Sequence, residues 1–143
     1  MLAREHCAGA QGRLAMFPRL AAFTDHGLLL MRLLVGLIFA DSGWNHVRDP
    51  EGRSRSIGVS KGFTAFLGVA ELLGGIGVAL GVLTQLAAAG LILIMLGAIR
   101  MKLFVWRTGF WGKQAYGWHY DLMLVAMNLV ILFTSGGRFV LWK

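Results

Sequence analysis

The chain has 143 residues, enough for one domain, and 57% of them are apolar while only 15% are charged. A soluble domain of this length could not bury so much apolar surface, so the composition excludes a soluble protein and predicts an integral membrane protein. The net charge of +7 does not indicate nucleic-acid binding, because the basic residues lie in short loops beside apolar segments, as they do in membrane proteins. The single cysteine, Cys7, excludes an intrachain disulfide and a CxxC redox pair.

The apolar segments predict an all-α fold, an integral membrane bundle of four helices. Crossing the hydrocarbon takes about 20 residues of helix, and four segments approach or reach that length. The predicted spans are residues 27–45, 61–83, 86–105 and 118–135. We expect residues 27–143 to form one domain and residues 1–26 to be a retained tail at the membrane interface, because its apolar run is too short for a signal-peptide core.

The connections between the spans predict which ends of the helices lie together. Only Thr84 and Gln85 separate the second span from the third, which predicts a tight antiparallel hairpin, and we name this side the hairpin end. The two longer loops, residues 46–60 and 106–117, then lie at the opposite side, the long-loop end. Eight lysines and arginines belong to the long-loop end and five to the hairpin end, which favours both termini outside the cytoplasm.

Five glycines in the interior of the second span would weaken a soluble helix but allow transmembrane helices to approach closely; they are Gly68, Gly74, Gly75, Gly77 and Gly81. Ala70 and Gly74, and again Gly77 and Gly81, have the spacing of small residues at such contacts. This span is therefore predicted to be central in the bundle.

Six polar side chains within or beside the spans are the candidates for a pocket or a proton-handling site. Polar groups are costly in lipid, so they should face the interior, pair or reach water. The candidates are Arg32, Asp41, Glu71, Arg100, Asp121 and Asn128. At about 100° per residue, three helices each present one polar face, and we expect these faces to meet around a cavity open at the long-loop end. The faces contain Arg32, Gly36, Phe39, Gly43 and His46; Thr64, Gly68, Glu71, Gly75 and Val78; and Asp121, Asn128 and Ser135.

Two interpretations of the buried charges stay open. Glu71 and Arg32 could form an ion pair that only sets helix packing, or Glu71 could belong to a polar pocket that handles protons. At the mouth of the bundle, we expect a rim of His46, His119, Trp44 and Trp118. A metal site of the two histidines with Asp121 is geometrically conceivable, but unliganded interfacial histidines are commoner, and we predict no metal.

Three segments together resemble the DoxX family of small bacterial membrane proteins. They are LLLMRLLVGLIFADSGW, FLGVAELLGGIGVALGVLTQLAA around Glu71, and GGRFVLW near the end of the chain. The resemblance covers most of residues 27–142 and implies a four-helix bundle in the bacterial inner membrane. In several members it also implies association with quinone-linked oxidoreductases or thiosulfate oxidation, so a quinone is the cofactor expected, with none intrinsic to the chain. The Glu71 position matches the family pattern, whereas Asp121 stands where a glutamate is usual.

Two functions follow from these patterns. The first is a small subunit of a quinone-linked membrane redox system, in which a pocket around Arg32, Glu71 and Asn128 receives the quinone head group and a partner supplies electrons. The alternative is a non-catalytic subunit that anchors or assembles a larger complex. Partners expected in either case are the lipid bilayer and either protein subunits or further copies of the chain. A small transporter is less favoured, because the chain has no visible inverted repeat.

Overall fold

The computed structural model describes residues 18–112 and 117–142, and within them it is all-α, as the sequence predicts. The expected tail therefore lies largely outside the described residues, as do Cys7, Lys113, Tyr116 and Lys143. The elements are α1 (Pro18–Ala21), α2 (Thr24–Arg48), α3 (Pro50–Ile57), α4 (Lys61–Leu80), α5 (Thr84–Arg100), which continues as one π-helical turn (Met101–Val105), and α6 (Trp118–Thr134).

Three of these helices are long and apolar enough to cross a membrane. They are Thr24–Arg48, Lys61–Leu80 and Thr84–Val105. The fourth, α6, has 17 residues and so a length of about 25 Å, slightly less than the hydrocarbon thickness. The expected fourth span is thus present as a shorter apolar helix that packs with the other three.

Glycines on α2 and α4 allow the backbones of these two helices to come into contact. A Cβ on Gly43 would lie 2.6 Å from the carbonyl oxygen of Gly68, and a Cβ on Gly36 would lie 2.6 Å from the carbonyl oxygen of Gly75. Each helix contributes two glycines seven residues apart, which places both contacts on one face. Only glycine permits this separation, because any side chain would meet backbone atoms of the neighbouring helix.

The glycines that make this contact are not the ones the small-residue spacing singled out. Gly74 and Gly77 face the third span instead, where their nearest neighbours include Leu91 and Ala87. Gly81 ends α4 with φ 75°, the left-handed conformation that glycine adopts without strain. The prediction of close packing by α4 is confirmed, but for a different pair of positions.

The predicted interior faces of α2 and α4 are confirmed by burial. The buried residues of α4 are Thr64, Gly68, Glu71, Gly75 and Val78, and those of α2 include Arg32, Gly36, Phe39 and Gly43. The helices α5 and α6 form the second closely packed pair, and apolar side chains fill the space between the two pairs. This core contains Val35, Phe39, Val78, Ala88, Leu91, Met95, Leu124, Val125 and Ile131.

Candidate functional site

A buried carboxylate, that of Glu71, lies between α4 and α2 toward the long-loop end. Glu71 is 4% exposed, and its Oε2 accepts a hydrogen bond of 2.9 Å from the Ser42 hydroxyl. The same Oε2 lies 3.1 Å from Nδ1 of His46, one turn after Ser42 on α2. Gly68 permits this arrangement, because a Cβ there would lie 2.7 Å from the Cβ of His46. We name Ser42, His46 and Glu71 the carboxylate cluster.

The neighbours of His46 decide which ring nitrogen carries hydrogen. Its Nδ1 lies 2.9 Å from the carbonyl oxygen of Ser42 as well as 3.1 Å from Glu71. A carbonyl can only accept, so Nδ1 is the donor and Nε2 is left to accept or release a proton. Because Glu71 Oε2 receives donors from both Ser42 and His46, the geometry fits an ionised carboxylate. The cluster is thus a chain of proton-exchanging groups.

A second ion pair, between Lys102 and Asp121, joins α5 to α6 at the same end. The Lys102 Nζ lies 2.7 Å from Oδ2 of Asp121, and the two side chains are 13% and 6% exposed. Lys102 was not singled out from the sequence; it lies near the end of the predicted span 86–105 and in the π-helical turn that extends α5. The spacing of Lys102 could have identified it as inward-facing. Lys102 follows the buried residue Met95 by seven positions and so continues the buried face of the helix.

Removing one member of this second pair is expected to destabilise the protein. Lys102→Ala leaves the Asp121 carboxylate buried without its cation, and we expect a loss of about 3 kcal/mol. The double variant Lys102→Met with Asp121→Leu, which buries no charge, should recover most of it. Thermal unfolding in a mild detergent measures both, and Arg107→Ala, which removes an exposed cation, is the control. A single variant as stable as the native protein would contradict the structural role of the pair.

An open cavity of about 560 Å³ lies between α2 and α6 at the long-loop end. Its size is in the range of small-molecule sites, and it combines apolar walls with several hydrogen-bonding groups. The polar lining consists of Asp41, Ser42, Asn45, Arg53, Tyr120 and Asp121, and the apolar lining of Leu37, Ile38, Phe39, Met95 and Leu124. Ser42 therefore belongs both to the cavity wall and to the carboxylate cluster. Sequence reasoning missed Ser42 and Arg53, although Ser42 lies one turn before His46.

Arg32 lies away from this cavity, at the hairpin end, where its guanidinium binds backbone carbonyls. Nε donates to Val78 at 2.9 Å and Nη2 to Ala79 at 3.1 Å, both in the last turn of α4. Nη1 donates to Gly136 at 3.1 Å and to Phe139 at 2.6 Å, in the segment that follows α6. The cation thus satisfies carbonyls at the negative end of one helix and joins them to the C-terminal segment.

These contacts correct the hypothesis of an Arg32–Glu71 ion pair. Within the described residues, the titratable side chain beside Glu71 is that of His46, and Arg32 binds only carbonyls. The two side chains face the same interior but at different heights, because Arg32 contacts α4 two turns beyond Glu71. Arg32 is therefore not part of a pocket with Glu71.

The remaining candidates occupy separate places. Asn128 is fully buried, and its Nδ2 donates to the Leu124 carbonyl at 2.9 Å. Its Oδ1 has no hydrogen-bond partner among the described residues. Asp41 is exposed in the open cavity and receives a hydrogen bond of 3.2 Å from Asn45. Arg100 is exposed and borders a different groove.

The predicted rim residues do lie at the long-loop end. Trp44 is 55% exposed, and the Trp118 ring packs edge-on against Phe110 with centroids 4.6 Å apart. The Nδ1 of His119 lies 2.7 Å from the Phe110 carbonyl oxygen, which ties the chain after the π-helical turn to the start of α6. In the described ranges, no three histidine, cysteine, aspartate or glutamate side chains are arranged for a metal ion.

Comparison with known proteins finds a family and one close relative. Residues 27–107 match the family model described as DoxX. The chain is 34% identical over 140 residues to Uncharacterized membrane protein Rv3486 of Mycobacterium tuberculosis (strain ATCC 25618 / H37Rv), an alignment that covers 87% of this chain and 85% of the relative. No solved structure matches.

Proposed function

Because this chain belongs to the DoxX family of multi-pass membrane proteins, we propose that it is a small subunit of a quinone-linked membrane redox system. The observation that carries the proposal is the open cavity beside the carboxylate cluster. A quinone supplies two-electron redox chemistry coupled to the uptake or release of two protons. The electrons come from a partner oxidoreductase, and this chain provides the binding site and the proton-exchanging groups.

The lining of the cavity fits an amphipathic ring ligand. Arg53 offers hydrogen-bond donors to carbonyl oxygens, whereas Asp41 offers an acceptor to a hydroxyl. Leu37 lines the cavity and is 66% exposed on a helix that crosses the membrane, so an apolar tail has a route to the lipid. Such a division between a few polar groups and apolar walls is typical of small-molecule sites.

The Ser42 hydroxyl connects the carboxylate cluster to the cavity. Ser42 borders the cavity and donates to Glu71, and Glu71 in turn lies next to His46. A proton from the cavity can therefore pass through the Ser42 hydroxyl to the Glu71 carboxylate without crossing lipid, while the Nδ1–H of His46 donates to the same carboxylate oxygen. Positioned acid–base groups of this kind contribute about a hundredfold or more to a rate.

The variant Glu71→Gln is expected to lose most of the quinone turnover while the protein still assembles. Glutamine keeps the size of the side chain and can still accept from Ser42, but it cannot hold the proton. We expect turnover in the detergent-purified complex to fall about a hundredfold. The matched control is Glu51→Gln, because Glu51 is exposed and pairs with Arg55 and Lys61 at the surface. Unchanged turnover in Glu71→Gln would refute the proton-handling role.

The alternative function, a non-catalytic anchor, is favoured by an unoccupied face of α5. Gly90 and Gly97 point outward with nothing within 4 Å of a Cβ, and their seven-residue spacing equals that of the glycines joining α2 and α4. A partner helix could pack there. Purification in a mild detergent distinguishes the two functions. Quinone bound to the isolated chain would support the redox subunit. A stoichiometric partner that carries cofactors, with no quinone bound to this chain, would support the anchor.

For its location we propose a bacterial inner membrane, with both chain ends on the non-cytoplasmic side. Among described residues, the exposed cations Arg48, Arg53, Arg55, Lys61, Arg100 and Arg107 gather at the long-loop end, where the positive-inside rule places the cytoplasm. We expect alkaline phosphatase fused after Lys143 to be active. A fused fluorescent protein that matures only in the cytoplasm should stay dark, and fluorescence from it would reverse the orientation.

A further inference from the structure

Arg100 occupies an unusual position, on the outer surface of a membrane-crossing helix. It is the last residue of α5, and the helix continues for one π-helical turn to Val105. At about 1.5 Å per residue, Arg100 therefore lies roughly 7 Å inside the end of the span. Its side chain is exposed, so it faces the lipid rather than the bundle.

The nearby cation Lys102 is already paired, whereas Arg100 has no ion-pair partner among the described residues. Residues two positions apart on a helix point to nearly opposite sides, so Lys102 turns inward to Asp121 while Arg100 turns outward. In residues 18–112 and 117–142, Arg100 has no acidic partner within ion-pair distance and no hydrogen bond from its guanidinium. A partner for the positive charge of Arg100 must therefore come from outside the described residues.

An unpaired guanidinium among acyl chains is strongly disfavoured, but an arginine near a helix end can extend its side chain to the head-group layer. The phosphate of a phospholipid lies in that layer and offers oxygens that match the guanidinium fork. A phosphate ester of the surrounding lipid is therefore the partner that satisfies Arg100 with the least rearrangement.

The surface beside Arg100 has the shape and polarity for the rest of such a molecule. A groove of about 280 Å³ is lined by Arg100, Met101, Phe104 and Val105. Phe104 is 72% exposed and Val105 is 61% exposed, which leaves apolar surface uncovered next to the charge. We propose that this groove is a binding site for an anionic phospholipid, whose phosphate pairs with Arg100 and whose acyl chain lies along Phe104 and Val105.

The charges around the groove favour a lipid with an anionic head group over a lipid with a zwitterionic head group. Lys102 and Asp121 neutralise each other, and the next charged residue along the chain is the exposed cation Arg107. Among the residues that the structure describes, no carboxylate lines the groove to receive the ammonium group of a zwitterionic lipid. The site is independent of the open cavity, which contains neither Arg100 nor Phe104.

The test is a lipid titration of the purified full-length protein in a mild detergent, with bound lipid counted by native mass spectrometry. Phosphatidylglycerol is the probe, phosphatidylcholine the zwitterionic comparison, and inorganic phosphate the competitor. We expect phosphatidylglycerol to bind more tightly than phosphatidylcholine and to be retained against phosphate. Arg100→Gln should weaken phosphatidylglycerol binding about fivefold. Arg100→Lys, which keeps the charge, should retain more of the binding.

The control is Arg107→Gln, which removes an equal charge from the same end of the protein but does not line the groove. It should leave phosphatidylglycerol affinity nearly unchanged. Equal losses in the two glutamine variants, or none in either, would overturn the assigned site. Equal affinity for phosphatidylcholine would overturn the anionic selectivity, and displacement by inorganic phosphate would assign the site to free phosphate instead of lipid.

Discussion

Replacing Arg32 with methionine is expected to destabilise the protein by about 3 kcal/mol. Methionine fills a similar volume but donates no hydrogen bond, so the carbonyls of Val78, Ala79, Gly136 and Phe139 lose their common partner. Arg32 is 1% exposed, so water cannot replace the lost donors easily. The change should appear as a lower midpoint of thermal or detergent-induced unfolding.

The C-terminal segment supplies a second readout for this variant. The Trp142 amide donates to the Gly81 carbonyl at 3.0 Å, beside the carbonyls that Arg32 holds. In Arg32→Met this amide should exchange its hydrogen faster, whereas Arg138→Met, which removes an exposed cation at the same end, should leave both exchange and stability unchanged. Equal unfolding midpoints for Arg32→Met and the native protein would rule out the joining role of Arg32.

The second large effect is expected at the contact between α2 and α4. In Gly43→Ala the new Cβ would lie 2.5 Å from the Leu72 nitrogen and 2.6 Å from the Gly68 oxygen, both backbone atoms. Neither can move unless the helices separate, so we expect a loss of about 3 kcal/mol, at the upper end of overpacking costs. Separation would also draw Ser42 and His46 away from Glu71, so under the proposed function quinone turnover should fall along with stability.

A matched control exists on the outer surface of α5. Gly97 is also a helical glycine, but a Cβ there has nothing within 4 Å. Gly97→Ala should therefore be neutral or slightly stabilising in the isolated chain, since alanine favours helix. Similar unfolding midpoints for Gly43→Ala and Gly97→Ala would contradict backbone contact between α2 and α4 at Gly43.

Helical periodicity predicted which residues face the interior. The five residues assigned to the inner face of the second span are the buried residues of α4, Glu71 among them. Burial follows from 3.6-residue geometry and from the cost of exposing polar groups to lipid, and both can be derived from one helix alone. The all-α fold and membrane residence follow from composition in the same way.

Periodicity could not decide which inward-facing group meets which. Arg32 and Glu71 both face the interior, but the crossing of α2 over α4 places Arg32 against the end of α4 and His46 against Glu71. That crossing depends on contacts between Gly36 and Gly75 and between Gly43 and Gly68, which involve two helices at once. The partner of a buried charge is therefore a property of helix pairing.

The sequence by itself determined an all-α membrane protein with polar side chains turned inward. The reason is that polar groups are costly in lipid, so each helix turns its own polar face away from the lipid. Only the tertiary structure decided that these side chains divide among the Arg32 carbonyl contacts, the carboxylate cluster and the Lys102–Asp121 pair. It also decided that Arg100 remains outside all three. The physical reason is that hydrogen bonds and ion pairs act over about 3 Å, so helix crossing and relative height select the partners.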